Sequence, residues 1–143
     1  MIAFNEKYRL PSEYADFVGL TYATSTSEKH KKDNGQFFTP KQISDFMAKL
    51  SKPNSGKISI LDPGCGTAML SCSLIEKLVS ESEIKEIELT LYETDKNLIT
   101  QTKLVAEYLD NWLKNHKVKF SYTIIERDFV LDNSEAFNLN SLF

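Results

Sequence analysis

The sequence predicts an α/β fold: three parallel strands with intervening helices, preceded by a helical N-terminal segment. Three observations lead there. Apolar runs of strand type recur at "ISILD", "EIELTLYE" and "VKFSYTIIERD". Stretches of helical period separate them. A glycine turn, "DPGCGT", follows directly on the first run. Strand–helix–strand–helix–strand alternation implies right-handed crossovers and a parallel sheet. Three strands make about half of a doubly wound sheet. The 143 residues suit one compact unit with a real core. They divide into a helical segment, 1–54, and a strand-and-helix segment, 55–143.

From the N-terminus, "PSEYADFVGLTYA" places Tyr14, Phe17, Val18 and Tyr22 at helical spacing, with Pro11, Ser12 and Glu13 as its start. "STSEKHKKDNG" is polar and basic, ends in Asp33-Asn34-Gly35 and reads as a solvated loop. In a larger enzyme it is placed to touch a phosphate backbone. In "TPKQISDFMAKL", Thr39 can cap a helix, Pro40 suits its first position and Gln42 completes a capping box. Ile43, Phe46, Met47 and Leu50 then fall at i, i+3, i+4 and i+7, the spacing of a helix. "SKPNSGK" ends that helix with turn residues. "ISILD" reads as a buried strand between Gly56 and Gly64. A helix runs from Thr67 to about Ser80 through Leu70, Leu74 and Leu78. After the second strand, "DKNLITQTKLVAEYLDNWLKNH" is a long amphipathic helix with Leu98, Thr102, Val105, Leu109 and Trp112 or Leu113 inward. The tail "FVLDNSEAFNLNSLF" has no clear period.

Composition excludes several classes. Hydrophobic residues make 41% and charged residues 26%, as in soluble globular domains. A net charge of -3 is not that of a polycation, so nucleic-acid contact needs a local basic patch or further chain. Cys65 and Cys72 are the two cysteines and form neither a disulfide framework nor a metal spacing. A reducing cytoplasm fits. No signal peptide opens the sequence, and no apolar stretch is long enough to span a membrane. His30 and His116 have no partner pattern and read as surface residues. Cys72 and Trp112 read as core, and Cys65 as a residue chosen for its size in the turn.

Ligands of such folds sit outside the carboxyl ends of the strands. Here each strand ends in an acid: Asp62, Glu93 and Asp128. A dinucleotide needs GxGxxG, yet Met69 stands at the third position, and Asp62 would face a pyrophosphate. No GK[ST] follows the turn, which excludes a Walker loop. S-adenosylmethionine carries a sulfonium and an ammonium and no phosphate, so acids around a glycine turn favour it. Gly64 and Gly66 let the backbone approach its methionine part. Glu93 can accept the ribose hydroxyls, and Asp128 the adenine amino group. Phe129 offers the ring an apolar face. Strand-end acids also serve as helix caps, and Asp95 suits that role.

"GQFFTP" (35–40), "LDPGCGT" (61–67), "LYETD" (91–95) and "ERDF" (126–129) follow one another in this order. Together they resemble DNA adenine-N6 methyltransferases of bacterial restriction–modification systems. The likeness extends to type I modification subunits and to type II enzymes that join methylation to restriction, and it covers roughly 31–129. It implies a partial Rossmann-like S-adenosylmethionine-dependent methyltransferase fold. In that family the FTP segment and the glycine loop clasp the methionine end of the cofactor. The resemblance therefore assigns cofactor contacts to Phe38, Thr39, Pro40, Asp62, Gly64 and Gly66. Glu93 would hold the ribose, and Asp128 with Phe129 the adenine. Cys65 agrees with the family's loop, whereas Ala68 stands where a further glycine is common. Phe37 and Phe38 fit either the core or a cofactor contact.

The family's catalytic motif, a polar residue followed by Pro-Pro and an aromatic, has no counterpart, because the prolines are at 11, 40, 53 and 63. The expectation is an N-terminal piece of a longer enzyme that is inactive alone and lacks a target-recognition domain. DNA would be met through the full-length enzyme. A restriction or specificity subunit, and a second copy paired through an exposed edge of the first strand, are the other partners considered. A non-catalytic assembly module, or a methyltransferase acting on RNA or protein, is the alternative reading.

Overall fold

The computed structural model of the chain describes residues 10–36, 38–52 and 55–136. Residues 1–9, Phe37, Pro53 and Asn54, which the sequence reads as turn residues, and residues 137–143 lie outside the described residues. The elements are α1 (Pro11–Ser25), α2 (Glu28–Asp33), α3 (Lys41–Lys49), β1 (Ser55–Asp62), α4 (Met69–Glu81), β2 (Glu83–Tyr92), α5 (Lys96–Asn115), β3 (Lys119–Ile125) and α6 (Phe129–Asp132). The strands form one parallel sheet in the order β1-β2-β3. This is the partial α/β fold that the alternation of elements predicts.

Register explains how the sheet is covered. Ile58, Ile87 and Phe120 are aligned across the strands, as are Ile60, Leu89 and Tyr122. These rows lie on one face and join a core with Ile75, Cys72, Val105, Leu109 and Leu113 of α4 and α5. The rows between them are polar: Lys57, Glu86 and Lys119, then Ser59, Glu88 and Ser121. Lys57 pairs with Glu88 at 2.7 Å and Lys119 with Glu86 at 3.5 Å. β1 is thus only partly the buried strand expected from "ISILD". Ile58 is buried, while Leu61, on the polar side, is 52% exposed. Parallel strands covered on both faces read as continuous apolar runs, whereas this sheet alternates.

The long helix α5 buries Leu98, Thr102, Val105, Leu109, Trp112 and Leu113, the face read from the sequence. α1 packs across α4 and α5, with Tyr14 stacked on Tyr108 at a centroid distance of 4.6 Å. Its inner face is Ala15, Val18, Gly19 and Tyr22, and Phe17 turns outward. Glu13 accepts the Leu10 N–H at 3.2 Å, which satisfies one donor at the helix start.

Two readings are corrected. The polar run at 28–33 is a helix, capped by Ser27, whose hydroxyl accepts the His30 N–H at 3.1 Å. Its six residues have no apolar period to reveal it. Pro40, not Thr39, occupies the N-cap of α3, and no side chain caps that end. The apolar stripe of α3 faces outward: Ile43, Phe46, Met47 and Leu50 are 43–71% exposed. α3 instead packs on α4 through small residues, Ser44 and Ala48. Asp45 accepts from Ser73 there at 3.0 Å, and Lys77 donates to the Ser51 carbonyl at 2.7 Å.

Candidate functional site

The carboxyl ends of the strands open onto a glycine turn, residues 63–68, that is pinned from several sides. The Cys65 N–H donates to the Tyr92 carbonyl at 3.0 Å, and the Ala68 N–H to the Cys65 carbonyl at 2.7 Å. Thr102 of α5 donates to the Gly66 carbonyl at 2.6 Å, and the Gly66 N–H donates to Glu93 at 3.2 Å. Gly66 has φ +53°, and a Cβ there would stand 3.6 Å from the Phe38 ring. Glycine thus suits the left-handed backbone, while a Cβ would meet Phe38 only at ordinary contact distance. Ala68 is also left-handed, at φ 60°. That conformation accounts for the preference for glycine at this position and delays the start of α4 from Thr67 to Met69.

Glu93 leaves β2 at the floor of the site. One carboxylate oxygen takes the N–H groups of Thr94 and Asp95 at 2.9 and 3.0 Å, and the other takes that of Gly66. These backbone donors fix its orientation while leaving lone-pair capacity for further donors. Asp62 accepts from the Ser71 hydroxyl at 2.7 Å. Asp128 caps α6 through the Leu131 N–H at 3.0 Å, and Phe129 lies edge-on to Tyr92 at 5.1 Å.

Two adjoining clefts result. The smaller, about 280 Å³, is lined by Gly19, Phe38, Thr39, Pro40, Asp62, Gly64, Gly66 and Met69, among others. The larger, about 780 Å³, is bounded by Gln36, Phe38, Asp62, Gly64, Gly66, Glu93, Arg127, Asp128 and Phe129. Phe38, Asp62, Gly64 and Gly66 line both. Every candidate residue read from the sequence therefore borders this double cleft, although Phe38 and Asp128 are far apart in the chain. Burial, then the Asp62 and Glu93 charges, hold the Cys65 thiol far above its ordinary value. It is thus no nucleophile, in keeping with its reading as a residue chosen for size.

The sequence missed a second layer behind the site. Asp95 is buried and accepts from Tyr22 Oη at 2.7 Å, His30 Nε2 at 2.6 Å and Gln36 Nε2 at 2.5 Å. Burial pushes this carboxyl up, but hydrogen bonds from His30, Tyr22 and Gln36 outweigh that and hold it well below the usual range. His30 is therefore not the unpartnered surface residue expected. Its partner lies 65 positions away, and no local pattern could have shown it.

The N-6 DNA methylase family matches residues 16–132 of the chain, which takes in the glycine turn, all three strands and the segment with Phe38. The chain belongs to this family. This N-6 DNA methylase chain is 34% identical over 105 residues to the type II methyltransferase M.BsuBI of Bacillus subtilis, covering 71% of the chain and 19% of that protein. It is 32% identical over 91 residues to the type II methyltransferase M.AccI of Acinetobacter calcoaceticus, covering 64% of the chain and 15% of that protein. The methylase chain thus spans less than a fifth of the length of either relative. No solved structure matches it. Among the described residues no helix is long and apolar enough to cross a membrane.

Proposed function

We propose that this chain is the S-adenosylmethionine-binding part of a DNA methyltransferase that modifies the 6-amino group of adenine in a specific sequence. One observation carries the reading. A single double cleft joins the glycine turn, the FTP segment and the three strand-end acids. Its acidic floor suits a cation and opposes a phosphate. The chemistry of the donor set fits the cofactor part by part. Backbone at Gly64 and Gly66, with Phe38, Thr39, Pro40 and Asp62, would hold the methionine end. Glu93, already oriented by three N–H groups, would accept from the ribose. Asp128 would accept from the adenine amino group, with Phe129 and Tyr92 against the ring. When bound, the cofactor supplies an activated methyl group. What these residues contribute is its orientation and the exclusion of water from one side.

The sequence contains no adjacent prolines, which supports the reading that base positioning and methyl transfer require residues beyond this chain. DNA, and any restriction or specificity subunit, would then be engaged by the longer enzyme. Among the described residues, β1 pairs only with β2. Its other edge is thus the place where further strands or a second copy would add.

Calorimetric titration with S-adenosylmethionine tests the site. Glu93→Ala and Asp128→Ala are each expected to weaken binding by about tenfold or more, the scale of one charge-assisted hydrogen bond. Wild-type affinity in both variants, or no heat from well-folded wild-type protein, refutes the assignment.

A further inference from the structure

Asp95 does more than a helix cap requires. Its Oδ1 accepts the Asn97 N–H at 2.9 Å, and that one bond caps α5. Serine, threonine or asparagine would do as much. Its Oδ2 is turned the other way and gathers three donors from three separate segments that precede the sheet: Tyr22 from α1, His30 from α2 and Gln36 from the stretch leading to α3. One oxygen accepting three donors must belong to an ionised carboxylate. It is also buried, with a side chain only 5% exposed, so each bond acts with little competition from water.

These attachments converge on one wall of the cleft. Phe38 lies two residues beyond Gln36, and its ring faces Gly66 and stands edge-on to Tyr22 at 5.8 Å. The main chain of Gln36 is held as well, its N–H donating to the Lys31 carbonyl at 2.8 Å. On the other side, the Asp95 N–H donates to Glu93, which in turn holds Gly66. A continuous set of hydrogen bonds therefore runs from α1 and α2 through Asp95 and Glu93 to the glycine turn.

We propose that Asp95 is the positioning residue of the cleft. Through Tyr22, His30 and Gln36 it seats the FTP segment over the glycine turn, so that Phe38 and Glu93 face the same ligand. The inference rests on reading this cleft as the S-adenosylmethionine site. His30 belongs to the same device: its bond to Asp95 fastens α2 to the start of α5.

Asp95→Asn separates the two roles. It is isosteric and keeps the cap acceptor for Asn97, but it sets an NH₂ group against three donors. Amide hydrogen exchange of the 143-residue chain without ligand gives the first readout. Faster exchange is expected at Gln36, Phe38 and Thr39, while the α5 amides between Ile99 and Leu113 keep their protection. Gln36→Ala, which alters a partly exposed side chain, is expected to give a smaller loss at the same amides. Titration with S-adenosylmethionine gives the second readout: affinity at least tenfold weaker in Asp95→Asn and severalfold weaker in Gln36→Ala. Wild-type exchange rates at 36–39 in both variants overturn the positioning role. So does wild-type affinity in a variant whose exchange has changed. Should the wild-type chain bind no S-adenosylmethionine, the cofactor reading fails, and the exchange pattern alone decides whether Asp95 seats the segment.

Discussion

Glu76 of α4 places its carboxylate under the first turn of α1. It accepts the Ser12 N–H at 2.6 Å and the Ser12 hydroxyl at 2.9 Å. A helix start leaves N–H groups without partners, and here another helix supplies the acceptor. Burial pushes the Glu76 carboxyl above its ordinary value; the Ser12 bonds and Lys41 oppose that only in part, and Asp45 adds to it. An acid whose folded pKa is raised binds more protons folded than unfolded. This contribution is therefore fully present below the ordinary glutamate pKa and is lost as pH rises through the raised value. Glu76→Gln keeps an acceptor for the N–H and offers a donor to the hydroxyl. It should melt above wild type at pH 7 and close to it near pH 4, in thermal unfolding followed by circular dichroism at both pH values. A wild-type lead at pH 7 would mean that the charge itself stabilises the contact. Other residues were legible in advance for a reason of position. Asp62 ends β1, Glu93 follows β2 directly and Asp128 stands three residues past β3, at the N-cap of α6, all on the side where this fold opens. Asp95, His30 and Tyr22 were not, because hydrogen bonds across 65 and 73 positions leave no local pattern.

At the scale of elements, α5 was readable because 20 residues repeat an apolar face against a covering sheet. α3 has an equally clear stripe, but the stripe is exposed. Periodicity reports that a helix has an apolar side, not which neighbour meets it, and the small residues Ser44 and Ala48 won the contact with α4. The end of α5 carries a further consequence. His116 is its C-cap, and Lys117 follows with φ 58°. The Val118 N–H reaches back to the Leu113 carbonyl at 3.1 Å, and the Lys117 N–H to that of Lys114 at 3.1 Å. This is the double closure that glycine favours at the left-handed position. A side chain there costs about 1 kcal/mol, and the exposed Lys117 has no buried packing to offset it. Lys117→Gly should therefore stabilise the chain by about 0.5–1 kcal/mol, since added unfolded-state freedom removes part of the gain. Urea unfolding reads this directly as a higher midpoint at unchanged slope. A lower midpoint would show that the lysine side chain supports the turn.

The whole molecule is organised around a seam. Helices α1 and α3 and the segment between them form one wall of the double cleft, and the carboxyl ends of the sheet form the other. A ligand that touches both walls must bind the folded chain and not the unfolded one, so it raises stability by mass action. At a concentration of about 100 Kd the gain is about 2.7 kcal/mol, which for a chain of this size is roughly 5–10 °C in melting temperature. S-adenosylmethionine should produce that shift, since under the proposed assignment its positive groups would meet Asp62 and its hydroxyls Glu93. A dinucleotide has the same adenosine but is larger, and it would set a pyrophosphate against Asp62 and the glycine turn, with Glu93 and Asp128 close by. Arg127 is no ready counter-charge, because it is already paired with Asp132 at 2.6 Å. NAD at equal concentration should thus leave the melting temperature within about 1 °C of the ligand-free chain, a gain of at most a few tenths of a kcal/mol. The two ligands share the adenosine and carry opposite charge beyond it, so melting curves recorded with each test the sign of the cleft. Stabilisation by NAD that matches or exceeds that by S-adenosylmethionine would mean that the strand-end acids are helix caps and not cofactor ligands.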